Sequence, residues 1–87
     1  MREIDQRICE LLRVRKMEGM ELLFKEYYKP LVVWGATFVS DVQRSEDIVQ
    51  DLFVQVWERD TCYSSYYGFK NFLYNSVKNA SLDYLKH

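Results

Sequence analysis

The chain has 87 residues, 48% of them hydrophobic, with three glycines and one proline. That is room for a single packed domain, and so few breakers among many Leu, Glu, Lys, Arg, Gln and Met residues point to an all-α fold. A net charge of −1 argues against a strongly basic, nonspecific nucleic-acid binder, and no stretch nears the roughly 18 apolar residues of a membrane span.

The N-terminus, MREIDQRICELLRVRK, is charged throughout and lacks the apolar stretch of a signal peptide, so a cytoplasmic location with no membrane partner is expected. In that compartment Cys9 and Cys62 read as incidental reduced thiols. With His87 they are too few for a four-ligand zinc site. The sequence offers no nucleophile–base pair and no phosphate-binding glycine loop, so neither an enzyme nor a cofactor is expected.

The first helix is expected over about residues 3–16, where Ile4, Ile8, Leu11 and Leu12 recur at helical spacing, with Gly19 marking the break that follows. A second helix runs from about Met20 to Val39 and is rich in large apolar groups, among them Leu22, Leu23, Phe24, Tyr27, Tyr28, Leu31, Val32, Trp34, Phe38 and Val39. Pro30 removes a backbone donor inside it and predicts a kink or short break. Gly35 and Ala36 are small enough to admit a neighbouring helix.

The third helix is expected to start near Ser40, because Ser40 and Gln43 have the spacing of a capping box. It runs to Trp57 or Glu58, with Ile48, Val49, Leu52, Phe53 and Val56 forming one apolar stripe. Residues 59–67, RDTCYSSYY, are polar, lack a helical period and precede Gly68, which predicts a loop. The last helix, over about 69–86, would bury Phe69, Phe72, Leu73, Val77, Ala80 and Tyr84. Four helices with short connections predict one domain, a compact bundle over residues 1–87.

Charge is unevenly spread along this plan. Residues 41–60 hold two arginines against six carboxylates, a net of −4, whereas residues 61–87 hold three lysines against one aspartate, a net of +2. Opposite its apolar stripe the third helix presents Asp47, Gln50, Asp51, Val54, Glu58 and Trp57, which suits either a solvated face or a docking surface. On the last helix Asn75, Lys78, Asn79, Leu82 and Lys86 share one face. Its lysines can meet phosphates, and its asparagines phosphates or base edges.

Three segments resemble a known family. EDIVQDLFVQVW is very similar to the polymerase-binding helix of extracytoplasmic-function sigma factors of the sigma-70 family. There an acidic pair precedes a Val-Gln-acid-x-Phe core and a terminal Trp. LLFKEYYKPLVVWGATFVSD resembles the helix before it, and FLYNSVKNASLDYLK resembles the final helix of the same domain, region 2. The likeness spans about residues 20–87, with the segments in the right order and at the right spacing.

The resemblance implies a transcription initiation domain that binds bacterial core RNA polymerase and opens promoter DNA. Asp47, Gln50, Asp51 and Trp57 match positions facing the coiled-coil clamp helices of the largest polymerase subunit. Phe53 matches as well, although its period sets it partly in the core. The loop 59–68 corresponds to the promoter-opening loop, which holds an extruded base of the minus-ten non-template strand. Tyr63, Tyr66 and Tyr67 would supply stacking surfaces, and Ser64, Ser65 and Asn71 could read a base edge; alternatively the tyrosines cover the end of the bundle. Asn75, Lys78, Asn79 and Lys86 would contact DNA, with Asn79, Asp83 and Lys86 matching the family's Asn, Asp and basic residue.

Positive charges are fewer here than in the strongest members, so affinity for isolated DNA should be poor, and tethering to polymerase would supply the effective concentration. An anti-sigma factor is a further partner that the resemblance allows. Family members carry a second, helix-turn-helix domain whose linker would begin near Lys86 and His87, so this chain is expected to hold region 2 without it. The competing reading is a helical protein-interaction module with no nucleic-acid role.

Overall fold

The computed structural model describes residues 2–59, 62 and 68–86. The all-α fold expected from composition forms as four helices among these residues: α1 (Glu3–Arg13), α2 (Met17–Val39), α3 (Val42–Glu58) and α4 (Phe69–Lys86). The long α2 is the hub, packing against the other three, and α3 also packs on α4. Among the described residues, no helix is long and apolar enough to cross a membrane.

α1 buries Ile8, Cys9, Leu11 and Leu12. It stops at Arg13 rather than near residue 16, and without a glycine. Arg15 takes a left-handed conformation, φ 60°, while its amide donates to the Leu12 carbonyl and that of Lys16 to Leu11, at 3.0 and 2.9 Å. These are the two bonds of a Schellman motif, in which glycine is the usual left-handed residue.

Gly19, expected to break the chain, lies instead in the first turn of α2 and is buried. A Cβ there would come 3.1 Å from the Cβ of Leu11 and from the Leu12 side chain. The glycine therefore serves the close approach of α1 and α2.

α2 runs unbroken through Pro30, so of the expected kink or short break the break does not occur. Pro30 and Glu26 are both exposed, and water can reach the Glu26 carbonyl that lacks the proline's missing donor. Gly35 does what its size suggested. Ser45 of α3 crosses over it, donating through Oγ to the Val32 carbonyl at 2.7 Å, and Val77 of α4 closes the other side.

The α2–α3 connection corrects the expected capping box by one residue. Ser40 is left-handed, φ 56°, and ends α2 with its amide on the Ala36 carbonyl at 2.9 Å. The N-cap of α3 is Asp41, whose extended backbone lets Oδ1 accept from the Arg44 amide at 3.2 Å.

α4 buries Phe69, Leu73, Val77 and Ser81, a strict four-residue ladder. Ala80 and Tyr84, expected in the core, are exposed. The ladder drifts about 40° per step around a helix of 3.6 residues per turn, which carries the core line to Ser81 instead. The Arg44 guanidinium lies over the exposed Tyr84 ring, 4.7 Å from its centroid.

The largest correction concerns the cysteines. Cys9 of α1 and Cys62 are joined as a disulfide across a sequence separation of 53, with Cα atoms 5.8 Å apart, a spacing normal for such bonds. They are not a pair of reduced thiols. Two residues 53 apart in the sequence meet because the end of α1 lies beside the end of α3, where Arg15 bonds the Trp57 carbonyl, a relationship that linear spacing does not carry.

Candidate functional site

α3 alternates between a buried line of Ser45, Val49, Leu52, Phe53 and Val56 and an exposed line of Asp47, Gln50, Asp51, Val54 and Glu58. The amphipathic pattern of the sequence therefore becomes one continuous polar strip. Among the described residues no ion pair engages Asp47 or Asp51, so their charge faces solvent and is available to a basic partner.

Phe53 does not belong to that strip. It is 1% exposed and meets Phe24 edge-on at 4.9 Å and Tyr28 at 6.3 Å between ring centroids. It can support the strip from beneath but cannot touch a partner in this conformation. Trp57 is half-buried, with the Arg15 guanidinium 4.1 Å from its ring centroid and donating to its carbonyl. One face of the expected anchor is thus already covered from within the chain.

α2 adds two of its large aromatic residues. The Tyr28 hydroxyl donates to Glu46 Oε2 at 3.0 Å and accepts from Gln50 Nε2 at 3.2 Å. This chain of bonds fixes the carboxamide of an otherwise exposed side chain. Phe24, stacked on Tyr28 at 5.3 Å, keeps 44% of its surface exposed. It sets an apolar patch beside the polar strip. A large aromatic is ordinarily read as core, so the signal for either residue lay only in their neighbours across the helix crossing.

On α4, Asn75, Lys78, Asn79, Leu82 and Lys86 are all exposed, as their shared face required. Lys86 Nζ lies 3.9 Å from Asp83, with both side chains about three-quarters exposed. Such a pair is worth little in water, yet it offsets the one negative charge on this helix. Asn71 is exposed near the start of α4 and already has a partner. Tyr63, Ser64, Ser65, Tyr66 and Tyr67, the candidates for holding a base, lie outside the described residues. A half-buried aromatic group of Trp34, Phe38 and Tyr74 ties α2 to α4, with Trp34 Nε1 donating to the Tyr74 carbonyl at 3.0 Å.

Where α1 meets α2, Asp5 is 2% exposed, a buried acidic side chain. It accepts from the Tyr27 hydroxyl and from Arg2, whose Nη2 also donates to Tyr27 at 2.6 Å. Burial, reinforced by the bond to Asp5, pushes the Tyr27 phenol well above its ordinary range. The network is satisfied within the protein and fastens α1 to α2. Among the described residues no group of three His, Cys, Asp or Glu is placed to share a metal ion.

The geometry thus offers an acidic and amide-bearing strip on α3, suited to a basic helix, and an amide and lysine face on α4, suited to a polyanion. The family Sigma-70 region 2 matches residues 23–87, which takes in most of α2 and all of α3 and α4. No curated protein and no solved structure matches the chain.

Proposed function

From the premise that this chain belongs to the sigma-70 region 2 family, we propose that α3 docks on the clamp helices of the largest subunit of core RNA polymerase. At the level of the family, such domains are parts of transcription initiation factors, with polymerase and promoter DNA as partners; they are not enzymes. The polymerase contacts are Asp47, Gln50 and Asp51, with Trp57 at the edge and Phe53 beneath. The carrying observation is the exposed strip itself, on which Gln50 is held in one orientation by Tyr28. Carboxylates and a fixed carboxamide can pair with arginines and polar groups along a basic coiled coil.

The second partner is the minus-ten element, bound as non-template single strand. The face of Asn75, Lys78, Asn79 and Lys86 tracks its backbone, while Asn71 and the tyrosines of the 59–68 connection take the extruded base. Modest positive charge suits a domain delivered to DNA by polymerase. The sequence pattern of α3 favours the extracytoplasmic-function branch of the family, acting in the cytoplasm of a bacterium.

Binding of fluorescently labelled chain to core polymerase tests the docking. Changing Gln50 or Asp51 to Ala is expected to abolish binding while the helical circular dichroism stays unchanged; retained binding would sink the assignment. Changing Lys78 and Lys86 together should weaken capture of a minus-ten single strand in the presence of polymerase. No loss would remove α4 from the DNA interface.

A further inference from the structure

We infer that the cavity between the ends of α1 and α3 is a thiol–disulfide exchange site for a small acidic disulfide, with Cys62 as the exchanging sulfur and Cys9 as the resolving one. The two ends meet where Arg15, just past α1, bonds the Trp57 carbonyl. Beside that contact lies a cavity of about 220 Å³, with Leu12 and Val56 among its apolar walls. Cys62 lines it and is half-buried. Its bonded partner Cys9 is 5% exposed and belongs to the apolar core. A molecule in the cavity therefore reaches one sulfur of the pair and not the other.

Charge selects what enters. Among the described residues, the walls carry the guanidinium groups of Arg13, Arg15 and Arg59 against the carboxylate of Glu58. Arg15 lies 4.1 Å from the Trp57 ring centroid and donates to the Trp57 carbonyl, and neither contact cancels its charge. A concave surface with an excess of positive charge concentrates anions, and guanidinium groups match carboxylates in geometry. The same charge favours the thiolate form of a sulfur beside it, which is the attacking species. The volume is below the roughly 300–1,000 Å³ of ordinary ligand pockets, so the cavity holds one arm of such a molecule. The class that fits is a low-molecular-weight disulfide whose arms carry free carboxylates.

The exchange balances within the cysteine pair. In the reduced chain the Cys62 thiolate attacks one sulfur of the small disulfide. The sulfur–sulfur bond of that molecule breaks, and one arm leaves as a thiolate that takes up a proton. Cys9 gives its proton to solvent and attacks Cys62 Sγ. The mixed disulfide breaks, the second arm leaves and is protonated in turn, and the Cys9–Cys62 bond is formed. Two electrons and two protons pass from the protein to the small disulfide. Excess acidic thiol drives the same steps in reverse.

The test follows adducts by mass on the full chain, reduced and then freed of reductant. Cys9→Ala removes the resolving sulfur, so the adduct on Cys62 accumulates. Three probes differ in charge: anionic oxidised glutathione, neutral hydroxyethyl disulfide and cationic cystamine. Each rate is divided by that of the same variant unfolded in urea, which cancels the intrinsic reactivity of the probe. On that scale oxidised glutathione is expected to react about tenfold faster than cystamine, the low end of focusing by a charged cleft, with the neutral probe between them. Arg59→Gln, at an exposed position, or salt at about 1 M should bring the rates together. Should circular dichroism show that Cys9→Ala is not folded, the same ratio is read from disulfide closure in the unsubstituted chain, with acid-quenched samples mapped for the adduct. Equal rates or a preference for cystamine would overturn the inference, as would an adduct mapped to Cys9 instead of Cys62. Polymerase takes no part in the measurement, so the exchange site stands or falls apart from docking through α3.

Discussion

The Gln50 carboxamide donates to the Tyr28 hydroxyl at 3.2 Å across the α2–α3 crossing, and the same hydroxyl donates to Glu46. An exposed glutamine would otherwise sample many rotamers and lose that freedom on binding. Tyr28→Phe removes the hydroxyl while keeping the stack on Phe24. Core polymerase affinity is expected to fall about two- to tenfold, the worth of one net hydrogen bond. Titration of the labelled variant checks this, and unchanged affinity would mean that the orientation of Gln50 is irrelevant to docking.

The crossing at Gly35 makes a stability prediction. A Cβ at residue 35 would collide with Ser45 Oγ and press on Val77. Gly35→Ala should therefore lower unfolding free energy by about 1–3 kcal/mol despite alanine's better helix propensity. In Ser45→Ala the colliding oxygen is absent. Urea denaturation of both single variants and the double should show a double-mutant cost smaller than the sum.

Ser81 is fully buried and its Oγ has no hydrogen-bond partner among the described residues. A buried hydroxyl left unsatisfied costs about 1–3 kcal/mol, and alanine also forms helix more readily. Ser81→Ala is expected to raise the urea midpoint, corresponding to a gain of about 1 kcal/mol. A drop would show that the hydroxyl has a partner in solution.

Tyr27 predicts a loss of stability in alkali. Its folded phenol is held above the ordinary value of 10.0 by burial and then by its bond to Asp5. Below pH 10 both states carry the proton, and the stabilisation is fully present. Above it the unfolded chain ionises first and binds fewer protons, so stability declines as pH rises towards the folded value. Chemical denaturation from pH 8 to about 11 should show this slope. Tyr27→Phe should flatten it, at a lower starting stability because Asp5 loses a donor.

The disulfide should also be visible in global stability. A cross-link spanning a sequence separation of 53 restricts the unfolded chain, and chain entropy gives about 4 kcal/mol for such a loop. Reduction is expected to lower the melting temperature by well over 10 °C in a domain of this size, since each kcal/mol moves it by about 4–8 °C. Calorimetry with and without dithiothreitol checks it.

Much of this molecule is legible from local pattern. The number and order of the helices, the limits of α4 and the split of α3 into buried and exposed lines follow from periodicity. Both arise within a few turns of chain, where side-chain direction is set by the helix itself. The exposure of Asp47, Gln50, Asp51, Asn75, Lys78, Asn79 and Lys86 was legible for the same reason, while the roles proposed for them rest on the resemblance of the three segments.

What local pattern missed depends on contacts between helices. Gly19 looked like a stop and is a packing contact, because only the approach of α1 reveals what its missing side chain makes room for. Ser40 and Asp41 exchanged roles because capping depends on backbone angles rather than spacing. Ala80 gave way to Ser81 because the neighbouring helices select which line of α4 is covered.

Sequence by itself determined an all-α chain with one acidic helix face and one amide and lysine face. Tertiary structure decided that Phe53 lies beneath the polar strip, that Arg15 covers Trp57, that Tyr28 bonds Gln50, and that Cys9 reaches Cys62. The division has one physical cause. Helix periodicity is a short-range property of neighbouring residues, whereas these four relationships join groups at least 22 residues apart or hinge on burial by a second helix, and form only when the helices pack.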